Sequence, residues 1–276
     1  HDGTRLRTYS VDDGLPHVLA AAIAEDPEGH LWFGTPGGVS RYDAEWLTFS
    51  SAEGLPHDTV RDVLEDDTGN IWLATDVGVS RYDSMMWRHF TTTDGLPEGG
   101  AWALAQDHDG QVWMISHLNT THGAASFDGR AWGIEDAVAA HSGKQRLFDI
   151  FKDDAGRLWF GSDKGVAYLA RASASSAARP RFDASDGMGD NYGIVITKDL
   201  SGQIWVANVT GGVSRYDGHR WRHFTTEDGM ARGTVRAILV DREGQVWFAS
   251  NGYGVTVFDG ETFRILTTAD GLAHNS

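Results

Sequence analysis

The stretch Val60-Arg61-Asp62-Val63-Leu64-Glu65-Asp66-Asp67-Thr68-Gly69-Asn70-Ile71-Trp72 decides the fold, because its second half returns five more times. Asp-x-x-Gly-x-(Leu/Ile/Val)-Trp recurs at Asp26–Trp32, Asp66–Trp72, Asp107–Trp113, Asp153–Trp159, Asp199–Trp205 and Asp241–Trp247. The tryptophans stand 40, 41, 46, 46 and 42 residues apart. One blade of four short strands needs about 40–45 residues, whereas a helical repeat of that size would show a 3.6-residue apolar period. No such period is present. Val60–Glu65 and Val235–Val240 read as first strands, rich in β-branched and aliphatic residues. Asp-x-x-Gly then closes a tight hairpin, with Asp accepting from backbone N–H groups and Gly taking a positive φ.

Working outward, the Trp lies in a second strand, and a Gly-containing loop leads to a third, Ser-Arg-Tyr-Asp at 40–43, 80–83 and 214–217. A fourth carries aromatics three apart, as in Trp46/Phe49, Trp87/Phe90 and Trp221/Phe224. Loops of Asp-Gly-Leu character, such as Asp94-Gly95-Leu96 and Asp228-Gly229-Met230, return to inner strands expected to start near 18, 58, 100, 146, 192 and 233. The fourth repeat lacks that loop and runs instead through Glu135–Arg146. The expected architecture is all-β: one β-propeller domain over residues 1–276, built of four-stranded antiparallel blades, with six blades favoured over seven. Leu6–Ser10 and Phe263–Thr267 both fit the outermost strand, which leaves ring closure open.

With 41% apolar residues and 11 Trp, the 276-residue chain has enough apolar surface for a substantial core. Its 23 Lys and Arg against 39 Asp and Glu give a net charge of −16, which disfavours nucleic acid and anionic membrane as partners. The absence of cysteine excludes disulfides and thiol chemistry. Apolar runs such as Val18–Ala24 are too short to insert in a bilayer. His1 falls in mid-repeat rather than at an initiator Met, as expected of a piece of a longer precursor.

The best copies, Phe90–Asp107 and Phe224–Trp247, resemble the two-component regulator propeller repeat family. The resemblance covers nearly the whole chain. It implies an extracytoplasmic sensor region of a bacterial two-component regulator, hence a periplasmic or extracellular location. It also implies a small-molecule or oligosaccharide ligand and a downstream signalling domain as partner.

Propellers bind ligands mostly at the channel mouth, built by the return loops and the loops between second and third strands. The second loop of repeat three is enlarged to Ser116–Ala124. There His117 and His122 suit acid–base work, and Asn119 suits sugar hydroxyls. At the starts of the inner strands lie His17, His57, Trp102, Arg146, Tyr192 and Arg232; further rim candidates are Asn208, Asn251 and Tyr253. Trp102 takes the register of Arg61 and Arg236, where an aromatic can stack on a sugar face. Asp62 and Asp149 share a register that is Ala22, Ala103, Val195 and Ala237 elsewhere, and blade-to-blade ion pairing with Arg61 or Arg236 explains them better than catalysis. No metal site and no cofactor are expected.

Three functions compete. The first is a non-enzymatic ligand-binding sensor. The second is a lyase of the streptogramin or polysaccharide type, using His117, His122, Tyr192 and Arg146. The third is a protein-interaction scaffold.

Overall fold

In a computed structural model, which describes residues 9–116, 123–135, 145–170 and 180–272, the chain is an all-β six-bladed propeller of four-stranded antiparallel sheets. Its contacts group into two compact units, the first holding blades 1–3 and the second blades 4–6. In the first unit, blade 1 is β1–β4 (Ala22–Glu25, Leu31–Thr35, Gly38–Tyr42, Trp46–Phe49). Blade 2 is β5–β8 (Val60–Glu65, Ile71–Thr75, Gly78–Tyr82, Trp87–Phe90), and blade 3 is β9–β12 (Ala103–Gln106, Val112–Ile115, Ala124–Phe127, Trp132–Ile134).

In the second unit, blade 4 is β13–β16 (Leu147–Lys152, Leu158–Ser162, Gly165–Leu169, Arg181–Phe182). Blade 5 is β17–β20 (Gly193–Lys198, Ile204–Asn208, Val213–Tyr216, Trp221–Phe224). Blade 6 is β21–β24 (Val235–Val240, Val246–Ser250, Gly254–Phe258, Phe263–Leu266). The strands Val60–Glu65 and Val235–Val240 stand where the sequence put them, but inner strands begin one to four residues later than expected. Every blade is built from four consecutive strands, so Phe263–Leu266 completes blade 6 without an exchanged strand. Leu6–Thr8 lie outside the described residues.

Five of the hairpins between first and second strands are seen closed twice. In repeat two, Asp66 Oδ1 accepts from the backbone N–H of Thr68 at 2.9 Å and of Asn70 at 3.0 Å, and Gly69 takes φ +81°. Its other oxygen accepts the Trp72 indole N–H at 2.7 Å. The same Asp–Trp bond measures 2.9 Å at Asp26–Trp32, 2.8 Å at Asp153–Trp159, 2.9 Å at Asp199–Trp205 and 2.7 Å at Asp241–Trp247. A buried indole donor without a partner would cost about 1–3 kcal/mol, so the aspartate is what allows Trp at the core position.

Once held, the Trp ring spans two blades. Trp72 stacks on Phe90 of its own blade, 5.9 Å between centroids, and meets Phe127 and Trp132 of blade 3 at 5.5 and 6.1 Å. In the second unit Trp205 stacks on Phe224 at 5.6 Å and reaches Phe258 of blade 6 at 5.5 Å. Each inter-blade core within a unit is therefore aromatic, sealed by the residue after the return-loop glycine: Leu55, Leu96, Met188 or Met230, all buried.

The return loops, read from sequence simply as loops, are short 3-10 turns with full capping boxes. Thr91 caps at its side chain and Asp94 reaches back to the Thr91 backbone N–H at 2.9 Å. The same pairing occurs at Ser50–Glu53, Asp183–Asp186, Thr225–Asp228 and Thr267–Asp270.

Asp62 and Asp149 play a different part from the ion pairing expected of them. Asp62 Oδ1 accepts from Val63 N–H at 2.9 Å, and Oδ2 reaches the Leu104 N–H of blade 3 at 2.8 Å. Asp149 repeats this with Ile150 at 2.8 Å and with Ile196 of blade 5 at 2.6 Å. A carboxylate with two acceptor oxygens serves both blades at once, while Arg61 turns away to Asp76 at 2.5 Å.

Two outcomes follow for stability. Asp199→Ala, which strips the acceptor from buried Trp205 and from the Gln203 N–H, is expected to lower urea-unfolding stability by about 2–3 kcal/mol, against under about 1 kcal/mol for Asp259→Ala in an exposed turn. Burial raises the Asp62 carboxyl to about 6 despite its two N–H donors. Since this folded value lies above the unfolded one, the contribution is complete below about pH 4 and is lost as pH rises through about 6. Unfolding titrations at about pH 4 and about pH 7 should show Asp62→Asn removing about 1–3 kcal/mol of that pH dependence.

Candidate ligand-binding face

Return loops and second-to-third-strand loops share one end of every blade; the Asp-x-x-Gly hairpins occupy the other. What reaches the return-loop end is set by an irregularity that strand alternation hides. In blades 2, 4, 5 and 6 the inner-strand register shifts by one residue, between Val60 and Asp62, Leu147 and Asp149, Gly193 and Val195, and Val235 and Ala237. The skipped residues are Arg61, Phe148, Ile194 and Arg236. A bulge re-aims the side chain it carries, and such positions recur at binding sites.

In the first unit this brings three groups together. The Arg61 guanidinium lies 4.8 Å from the centroid of the Trp102 ring, and its Nε donates to Asp76 in the β6–β7 turn at 2.5 Å. Trp102 itself is partly exposed, its backbone N–H fixed to Ile115 O at 2.8 Å. Carboxylate, guanidinium and indole thus form a locked sequence in which the ring is oriented before any ligand arrives. His17 and His57 sit in the return loops, where each Nδ1 accepts from the backbone N–H two residues on, Leu19 at 3.1 Å and Thr59 at 3.0 Å.

In the second unit Tyr192, 41% exposed, has its ring 6.3 Å from Phe148. Its loop is tied by Asp190, which accepts from Tyr192 N–H at 2.7 Å and from Thr210 N–H at 2.8 Å. Asn208 is fully buried, donating to Tyr192 O at 3.1 Å and accepting from Ser214 Oγ at 2.7 Å, so its amide is taken up by the fold. Arg146 is exposed, and its backbone exchanges hydrogen bonds with Asp163 at 3.1 Å in each direction. Arg232 and Asn251 are exposed; Tyr253, 51% exposed, lies against Gly233, where an added Cβ would come within 2.8 Å of its ring. His117, Asn119 and His122 lie outside the described residues.

The residues that sequence reasoning missed here are Asp76, Phe148 and Asp190. Only the one-residue bulge distinguishes Phe148 from a core position, and nothing local in the sequence announces it. Among the described residues, Asp26, Glu28 and His30 bring possible metal ligands within 4.8 Å of one another. They sit in the opposite, hairpin end of blade 1, and Asp26 Oδ2 is occupied by Trp32 and by His30 Nδ1 at 2.9 Å each.

A comparison with curated protein sequences finds no match. Among solved structures, the extracellular domain of the hybrid two component system protein BT4673 from B. thetaiotaomicron is similar over 91% of this chain, with 15% identity and a TM-score of 0.57. The chain spans 43% of that domain. Virginiamycin B lyase from Staphylococcus aureus is similar over 90% of this chain and 83% of its own, with 12% identity and a TM-score of 0.70. Likeness at these identities speaks to fold, not to activity. The family model of the two component regulator propeller matches residues 14–37, 54–77 and 229–252, each from a return-loop glycine through the Asp–Trp hairpin to the end of the second strand. Three segments of the six-bladed frame thus match the two component regulator propeller repeat.

Proposed function

We propose that this chain is the ligand-recognising part of an extracytoplasmic two-component sensor, binding a small polar ligand such as an oligosaccharide on the return-loop end of its blades. The observation that carries this reading is Trp102, a partly exposed ring held by Arg61, itself anchored to Asp76. Sugars bind through apolar ring faces laid on aromatics, with hydroxyls read by fixed polar groups, and preorganised rings lose little entropy on binding. Tyr192 beside Phe148 offers the second unit a comparable platform. Resemblance to sensor extracellular domains supports a location outside the cytoplasm and a downstream signalling domain as partner. No helix among the described residues is long and apolar enough to cross a membrane.

Calorimetric titration with a panel of neutral and acidic oligosaccharides should give saturable heat with at least one. Trp102→Ala or Tyr192→Ala should then weaken that affinity by about tenfold or more, while leaving urea stability within about 1 kcal/mol. Silence across the whole panel, or unchanged affinity in both variants, would count against the reading.

A further inference from the structure

At the far end of blade 5, the turn between β19 and β20 departs from its counterparts. The residue before the outer-strand aromatic is Glu45, Met86, Ala131 or Thr262 in other described blades, but Arg220 here. The residue after it is Arg222, and Arg222 pairs directly across the strands with Arg215. Like charges placed opposite each other on a sheet repel, so the arrangement carries a standing cost. These three arginines line a cleft of about 380 Å³ together with Asp217 and Trp221.

Two of the guanidinium groups are held on aromatic supports. Arg215 lies 5.3 Å from the Trp205 centroid, 5.4 Å from Phe224 and 5.9 Å from Phe258. Arg222 lies 4.5 Å from the same Phe224 ring. The nearby carboxylates only partly offset them. Asp217 Oδ1 accepts the turn N–H groups of His219 and Arg220 at 2.9 Å each, and its contact with Arg220 Nε is 3.5 Å. Asp228 is 3.9 Å from Arg222 and already serves the capping box through the Thr225 N–H at 2.8 Å.

We infer that this cleft is a binding site for a tetrahedral dianion, either free phosphate or sulfate or a phosphate monoester borne on a sugar. Three guanidinium groups against Asp217 in the lining and Asp228 beside Arg222 leave the cleft net positive, and their planar forks match the oxygens of such a group. The volume accommodates the anion with one attached sugar ring rather than a polymer. The chain's net charge of −16 does not prevent this, because salt screens distant charges beyond about 8 Å at physiological ionic strength. The site is separate from the face proposed for saccharide stacking and does not depend on it.

The test is titration of the whole chain with inorganic phosphate, sulfate and glucose 6-phosphate near pH 7.5, following amide and guanidinium resonances by NMR, with sodium chloride matched in ionic strength. Saturable shifts centred on residues 215–222 are expected with the dianions and not with chloride. Arg222→Gln and Arg220→Gln, both at exposed side chains, should each weaken binding by about tenfold, and Arg220→Gln does so with both arginine–aromatic contacts left in place. Tighter binding of glucose 6-phosphate than of phosphate, with none of glucose, identifies an ester as the source; equal binding identifies the free anion. Linear, chloride-like shifts, or affinities unchanged in both variants, overturn the inference.

Discussion

An indole N–H buried among aromatic rings can be reached by no water, and its carboxylate acceptor is the contact on which the rest of this molecule depends. Asp26, Asp66, Asp153, Asp199 and Asp241 each place one oxygen on that N–H. Three further consequences come from the same residue. The second oxygen closes the hairpin, the hairpin sets the phase of the first two strands, and in blades 1, 2, 4 and 5 the fixed ring joins its blade to the next. Repetition of the motif therefore reflects a local electrostatic requirement that every blade meets separately. In these five repeats a carboxylate oxygen and the indole donor are committed to structure.

This commitment divides each blade into two ends of different character. The Asp-x-x-Gly end is saturated with internal hydrogen bonds. The return-loop end is stabilised by the capping box and by an apolar plug, Leu55, Leu96, Met188 or Met230, which together need only four or five residues. Neighbouring positions are then free to vary, and the inner-strand bulges direct that variation outward. Arg61 against Trp102, and Phe148 against Tyr192, are the products.

Most of this frame was legible in the chain itself. The Asp–Trp spacing, the strands Val60–Glu65 and Val235–Val240, and the outer-strand pairs Trp46/Phe49 and Trp221/Phe224 are local patterns, and they stand as read. The capping boxes were also written there, as Ser, Thr or Asp followed three residues later by Asp or Glu, but a glycine-containing turn masks them. The candidate site was far less legible. That Arg61 meets Trp102 depends on a bulge in blade 2 and on the start of blade 3, 41 residues apart, and no local period encodes their approach. Asn208 shows the reverse failure: its rim position follows from repeat phase, yet its amide is turned inward to Ser214 and the Tyr192 carbonyl.

Asp62 and Asp66 show how finely the same side chain is apportioned. They lie four residues apart on one blade, and burial acts to raise both carboxyls. Asp66 is met by Thr68, Trp72 and Asn70, whose donors outweigh the loss of water and hold it below its ordinary value. Asp62 receives only the N–H groups of Leu104 and Val63, too few to offset burial, and rises to about 6. Asp62 both loses more water and gains fewer donors than Asp66. The hairpin aspartate recurs in all six repeats. Asp62, which joins two blades with a minimal donor set, is pushed toward protonation, and the chain places a carboxyl at only two of six such positions, Asp62 and Asp149, where other blades use alanine or valine. Blade contacts are thus mostly apolar with occasional polar stitches, because each stitch needs a buried charge that the interface can only partly satisfy.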